Sequence, residues 1–182
     1  MRDDKGEVRD DNINYRKIKL KTKNIEKIVG NLLLEKKLTV SIAESCTGGL
    51  ISSRLTDVAG SSAYIKLNLV TYSNEAKIKM LGVPEEILNT YGAVCEQNAA
   101  AMAEGAKKVL GADIGVGITG IAGSTGSTPS KPVGLVYIGI SNEEKTEVHK
   151  INANPEWERK EIKFFASDEA LKFLKLFIEE NY

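Results

Sequence analysis

The chain has a single histidine, His149, in 182 residues. That scarcity excludes the usual arrangements in which imidazole activates a serine, a thiol or a zinc-bound water, unless this one residue serves. His149 lies in TEVHKI, a charged stretch that reads as a solvent-facing strand. Cysteine is almost as rare. Cys46 and Cys95 form neither a disulfide framework nor a metal-binding spacing, so no metal and no other cofactor is expected. An excess of one charge is missing too, with 25 Lys plus Arg against 25 Asp plus Glu. The electrostatic footprint of a nucleic-acid binder is therefore absent, and a small ligand is the expected partner. No apolar run reaches membrane-spanning length, and the charged first residues lack the apolar segment of a secretory signal. A cytoplasmic protein without a membrane partner is the expectation.

What is present suits one ordinary core: 42% hydrophobic residues at this length are too few for two comfortable domains. Residues 1–23 read as a charged flexible leader, and residues 24–182 as the folded domain. In KNIEKIVGNLLLEKK the apolar residues recur at helical spacing, and in LTVSIAE they alternate as in a strand. Helical periodicity returns from Thr47 through Leu55, and a strand follows in which Ile65, Leu67 and Leu69 alternate. Asn74 is the expected N-cap of the helix EAKIKML, with Gly82 closing it. Residues 95–110 give another helix, closed by Gly111, before the strands DIGVGIT and VGLVYIGI. A hairpin at SNEEK and a long helix from about Glu156 complete the chain. Alternating helices and strands predict an α/β fold, a three-layer α/β/α sandwich on a mixed, mostly parallel sheet. The final strand is expected to be the antiparallel one, because SNEEK is too short for a crossover.

GVGITG, residues 115–120, fits G-x-G-x-x-G, but the residues after it, IAGSTGSTPSKPVG, are too rich in Gly and Pro to open the helix a dinucleotide fingerprint needs. What remains is a long loop of small residues, with Thr119, Ser124, Thr125, Ser127, Thr128 and Lys131. It reads equally as a cradle for a phosphate or sugar and as a solvated connection.

Ser45 and Cys46 stand side by side in TVSIAESCTGG, at a strand-to-helix junction. A serine or threonine there commonly caps the helix, whereas the small residues that follow also let a substrate approach backbone N–H groups. Cys46 reads as a small buried side chain, since a reactive thiolate needs a cation or a histidine nearby. A serine without histidine needs another base, and lysine is the known alternative. Lys77, in the first turn of EAKIKML, can be held neutral by the helix dipole and by burial, with Tyr72 positioned to bridge or to orient; it can equally be a surface lysine.

The stretches AESCTGGLISSRLTDVAGSSAY, VTYSNEAKIKMLGVPEE, YGAVCEQNAAAMAEGAKKVLGADIGVGITGIAG and KPVGLVYI together resemble the CinA C-terminal domain family over roughly residues 24–179. Active members of that family are nicotinamide-mononucleotide deamidases. The resemblance implies hydrolysis of the carboxamide of nicotinamide mononucleotide to nicotinate mononucleotide and ammonia, without metal. It places the catalytic serine, lysine and tyrosine on Ser45, Lys77 and Tyr72. The amides near Cys46 and Thr47, followed by Gly48 and Gly49, would hold the oxyanion. The nucleotide phosphate would lie against either the Ser61–Ser62 turn or the loop that carries Thr119, Gly120 and Gly123, with Arg159 as a basic ligand. A homo-oligomer is implied as well. Two departures stand out. Ser124 replaces a proline usual in the family, and Trp157-Glu158-Arg159 stands where Gly-Asp-Arg is common, with Lys163 in place of a second arginine. A nucleotide-binding domain that has lost turnover, or an amidase for another small amide, is the alternative.

Overall fold

The computed structural model describes residues 24–182; the leader expected over residues 1–23 lies outside them. Strand β1 (Val40–Glu44) sits inside the sheet, flanked by β2 (Ile65–Val70) on one side and β3 (Ile114–Gly120) on the other, both parallel to it. β4 (Leu135–Ser141) and β5 (Thr146–Asn152) extend the sheet beyond β3, giving the order β2-β1-β3-β4-β5. Both added pairings are antiparallel. The strand that opposes the rest is thus β4 and not the final strand, as the sequence suggested, since β5 regains the common direction. The reason is local: the amide of Ile121 donates to the Leu135 carbonyl and that of Gly134 to the Ile121 carbonyl, so residues 121–134 close as a hairpin loop.

Alternation along the strands decides the layers. Val40 and Ile42 of β1, Val116 and Ile118 of β3, and Ile138 and Ile140 of β4 share one buried cluster with three helices, α1 (Ile25–Lys36), α2 (Leu50–Thr56) and α6 (Arg159–Asn181). On the opposite face Ala43 packs with Leu81 of α3 (Asn74–Leu81), Leu88 of α4 (Glu85–Tyr91) and Met102 of α5 (Glu96–Leu110). The three-layer α/β/α sandwich on a mixed sheet is the fold of the chain.

Two boundaries differ from the sequence reading. Ser73, not Asn74, caps α3, its side chain accepting from the Ala76 amide at 3.0 Å. Helix α6 begins at Arg159 because Glu158 and Glu161 form a reciprocal capping box there.

The glycines of GVGITG have a packing cause. A Cβ on Gly115 would come within 2.0 Å of the Ala103 carbonyl oxygen, and one on Gly117 within 2.5 Å of the Ala103 amide nitrogen. In β4, Gly139 meets α5 in the same way, at 2.4 Å from the Ala99 carbonyl oxygen. Helix α5 lies directly on the backbone of β3 and β4, so these positions are a seam between layers and not a nucleotide fingerprint.

The chain order also fixes where a ligand fits. From β1 it passes to β2 on one side through α2, then returns across the other face through α3, α4 and α5 to β3 on the far side of β1. The carboxyl ends of β1 and β3 therefore flank the point where strand order reverses, the general location of ligand crevices in open α/β sheets. Helix α6 is anchored near this end by Arg54 of α2. The Arg54 guanidinium donates to Ser167 Oγ at 2.9 Å and pairs with Asp168 at 3.1 Å and Glu26 at 2.8 Å.

Gly117→Ala tests the seam. Forcing a methyl against α5 lowers the unfolding free energy by about 1–3 kcal/mol, read from urea midpoints. An unchanged midpoint would mean that α5 does not press on β3.

Candidate active site

Ser45 follows the last residue of β1, and its amide donates to the Ile118 carbonyl at 3.0 Å, fixing the nucleophile candidate between β1 and β3. The next residues turn sharply through Gly48 and Gly49, at φ +63° and +94°, before α2 starts. The turn is held from below by Glu44, which is fully buried. Its carboxylate accepts from the amides of Gly49 (3.0 Å), Ile51 (3.1 Å) and Ser52 (2.8 Å), and from Ser52 Oγ (2.6 Å). A negative side chain thus occupies the positive end of α2, so that end is not open to a substrate phosphate. Gly48 donates to the Ser45 carbonyl at 3.1 Å. The Cys46 and Thr47 amides lie within reach of the Cys46 sulfur, next to Ser45.

Lys77 lies in α3 and is 1% exposed. Its Nζ has three neighbours: the Thr71 carbonyl at 2.9 Å, the Tyr72 carbonyl at 3.3 Å and Ser45 Oγ at 3.3 Å. Burial lowers its pKa below the ordinary lysine value. A neutral amine has two N–H groups and one lone pair. Two carbonyls and one hydroxyl can satisfy that inventory, since the Ser45 hydroxyl can accept from the amine or donate to its lone pair.

Cys46 is the contrary case. Burial first, and the nearby Glu44 charge second, push its thiol up to about 12. The neighbour of Ser45 is therefore a neutral thiol at physiological pH, buried as the sequence suggested. His149 is exposed on β5, its ring 5.2 Å from that of Phe173, and does not line the cavity at Ser45.

A cavity of 230 Å³ opens on this pair, lined by Ser45, Cys46, Tyr72 and Lys77 on one side. Thr119, Gly120, Gly123 and Arg159 line the other. Thr119 is buried and its hydroxyl donates to the Ala93 carbonyl at 2.7 Å, which also accepts from Asn98 Nδ2 at 2.6 Å. The wall at residues 93–94 is thereby fixed. Arg159 lies over the 121–126 loop, close enough that a Cβ on Gly123 would sit 2.8 Å from its Nη1, and it donates to Tyr72 Oη at 2.7 Å. Tyr72 bridges by a route the sequence did not suggest: its carbonyl receives Lys77 while its phenol receives Arg159.

Other predicted site residues fall elsewhere. Ser61 and Ser62 occupy a short turn before β2, at the opposite end of the sheet. A six-residue strand separates that turn from the site, roughly 17–20 Å. The turn joins α2 to the amino end of β2, whereas the cavity lies at carboxyl ends, so the phosphate role considered for it is withdrawn. Thr47 is buried behind the turn, its hydroxyl without a partner. Gly48 faces Lys163, whose Nζ would be 3.3 Å from a Cβ there. In the 121–134 loop, Ser124 and Thr125 line cavities, but Ser127 donates to the Ser124 carbonyl and Lys131 reaches the Tyr91 carbonyl, so these two hold the loop itself. Among the described residues no three His, Cys, Asp or Glu side chains gather as metal ligands, and no helix is long and apolar enough to cross a membrane.

Comparison with known proteins gives a consistent result. The family model for the CinA C-terminal domain matches residues 22–178. A CinA-like protein of Endomicrobium trichonymphae is 46% identical over 157 residues, covering 85% of this chain and 36% of that protein. The chain thus spans between 28% and 37% of the length of the curated relatives it matches. The crystal structure of the competence/damage inducible protein CihA from Agrobacterium tumefaciens superposes with a TM-score of 0.80 at 40% identity, covering 87% of this chain and 97% of that one. That of the competence damage-inducible protein A (ComA) from Klebsiella pneumoniae superposes with 0.83 at 28% identity, with the same coverage.

The buried lysine carries a stability signature. Its folded pKa is depressed, so between that value and the unfolded value, about 10.4, the unfolded chain binds more protons. The parent protein therefore gains stability relative to Lys77→Met as pH rises through this window, and loses it as pH falls. Parallel urea titrations across pH read the sign; a pH-independent difference would mean Lys77 is not desolvated.

Proposed function

We propose, from the premise that this chain belongs to the CinA C-terminal domain family, that it hydrolyses the carboxamide of nicotinamide mononucleotide to nicotinate mononucleotide and ammonia. The observation that carries the reading is the Lys77 amine, buried, lowered in pKa and directed at Ser45 Oγ with its N–H groups on two carbonyls. Lys77 takes the hydroxyl proton as Ser45 Oγ forms a bond to the carboxamide carbon. The oxyanion forms beside the Cys46 and Thr47 amides. The C–N bond then breaks, Lys77 returns its proton to the leaving nitrogen, and ammonia departs from a nicotinoyl ester on Ser45. Water, deprotonated by Lys77, attacks the ester carbon, and the Ser45 oxygen leaves with that proton.

Binding follows the cavity. The pyridine sits among Ser45, Tyr72 and Thr119, and the phosphate approaches Arg159 and the 121–126 loop, where the guanidinium offers donors beyond the one used on Tyr72. Lys163, near Gly48, adds a point charge without an arginine's fork. A cytoplasmic setting, homo-oligomeric assembly and the absence of nucleic-acid contact complete the proposal.

The deciding assay is ammonia release from nicotinamide mononucleotide with chelator present. Ser45→Ala and Lys77→Ala each lose about 10²-fold or more, while Cys46→Ala stays within a few-fold of the parent. The rate in the parent rises with pH through a value below the ordinary lysine pKa, since the neutral amine is the active form. A folded parent that binds the nucleotide and releases no ammonia overturns the reading in favour of a binding domain.

A further inference from the structure

Past Arg159 the crevice continues. A second cavity of 440 Å³ shares Gly123, Thr125 and Arg159 with the first and adds Ser124, Pro155 and Trp157. The first cavity alone, at 230 Å³, falls below the roughly 300–1,000 Å³ of ordinary small-molecule sites, and the second brings the crevice into that range. Its chemistry is divided by position. Hydroxyls of Ser124 and Thr125 stand on the loop side, and the cation of Arg159 marks the boundary with the first cavity. The indole of Trp157 forms part of the wall and is braced rather than loose. It is half-buried and meets Phe165 edge-on, with centroids 5.5 Å apart and planes at 72°.

An aromatic wall, a boundary cation and short hydroxyls recognise a flat heterocycle joined through a sugar to a phosphate. We propose that this second cavity binds a purine nucleotide, its base against Trp157 and its phosphate at Arg159. Base-on-aromatic stacking contributes about 1–3 kcal/mol, and the guanidinium keeps donors for a phosphate after its bond to Tyr72. Two sources share this chemistry: a free purine mononucleotide, and the adenylate half of a pyridine dinucleotide whose other half enters the first cavity. The inference rests on the proposed function only in giving the first cavity to the pyridine, and occupancy of the second is read without turnover.

Trp157 is the single tryptophan of the chain, so emission excited selectively at tryptophan, beyond the absorption of the six tyrosines, reports this wall. The experiment titrates AMP, ribose 5-phosphate and NAD into Ser45→Ala, which cannot turn a carboxamide over. AMP is expected to quench Trp157 saturably with a dissociation constant at or below roughly millimolar, while ribose 5-phosphate, lacking a base, leaves it unchanged. NAD binding about tenfold or more tighter than AMP identifies the adenylate half as the ligand; equal affinities identify the free mononucleotide. Calorimetry on Trp157→Ala supplies the control, with AMP affinity down by about tenfold and restored by Trp157→Phe. No saturable quenching by AMP or NAD overturns the inference, as does parent-like AMP affinity in Trp157→Ala. Ammonia release from nicotinamide mononucleotide by the parent is scored separately, so either reading can fail alone.

Discussion

A lysine amine removed from water is the constraint around which the site is organised. Burying an ammonium is costly unless it is neutralised or surrounded by acceptors, and Lys77 has three oxygens around its nitrogen. Supplying them dictates local structure. The carbonyls of Thr71 and Tyr72 come from just past the end of β2, while the Thr71 amide still donates to the Glu44 carbonyl at 2.9 Å. Strand β2 therefore stays registered to β1 until the last possible residue and then turns its carbonyls toward the lysine. Ser73 at once caps α3, and Lys77 falls one turn into that helix, directed back at the two carbonyls it has just passed.

Glu44 does for the serine what β2 does for the lysine. Its carboxylate meets only donors, four of them, so a carboxamide in its place would set an N–H₂ group against an N–H. The bonds tie the Gly48–Gly49 turn to the end of β1 and leave the Cys46 and Thr47 amides beside Ser45. They also settle a division of labour. The positive end of α2 is matched internally, which leaves Arg159, at the first position of α6, as the cation lining the crevice. A cation there opposes the helix dipole, an arrangement that helix stability alone does not favour. Its bond to Tyr72 and its place over Gly123 give it a use at the crevice instead.

Much of this was legible from residue order. The alternation in LTVSIAE and VGLVYIGI, the caps Gly82 and Gly111 and the short SNEEK turn carry the layers, and the shortage of histidine directs attention to Lys77, which the fold brings to Ser45. What was not legible is long-range. Glu44 caps a helix from five to eight residues upstream, outside the spacing of a capping box, so no local pattern announces it. Gly115 and Gly117 match a glycine fingerprint only by spacing, and nothing in their strand shows that their cause is the backbone of α5 lying directly on them. The Ser61–Ser62 turn resembles a phosphate turn in composition, and only the direction of β2 shows that it faces the wrong end. Tyr72 lines the cavity, but its bonds were not legible, since the Arg159 that donates to its phenol oxygen comes 87 residues later.

The two departures from the family pattern bear on different parts of the crevice. Ser124 stands in a loop that closes on itself, with Ser127 donating to its carbonyl through both amide and hydroxyl. The conformational restriction lost with proline is thus partly replaced by hydrogen bonds. At the start of α6 the capping box of Glu158 and Glu161 keeps the helix boundary that fixes Arg159, so the change from aspartate to glutamate leaves the cation in position. Neither change touches Ser45, Lys77 or the carbonyls around the amine. The departures fall on the walls of the crevice, at the 121–134 loop and around Arg159. Trp157 is the largest of those changes. Its place beyond Arg159, away from Ser45 and Lys77, means that a change there reshapes the outer half of the crevice and leaves the surroundings of the buried amine untouched.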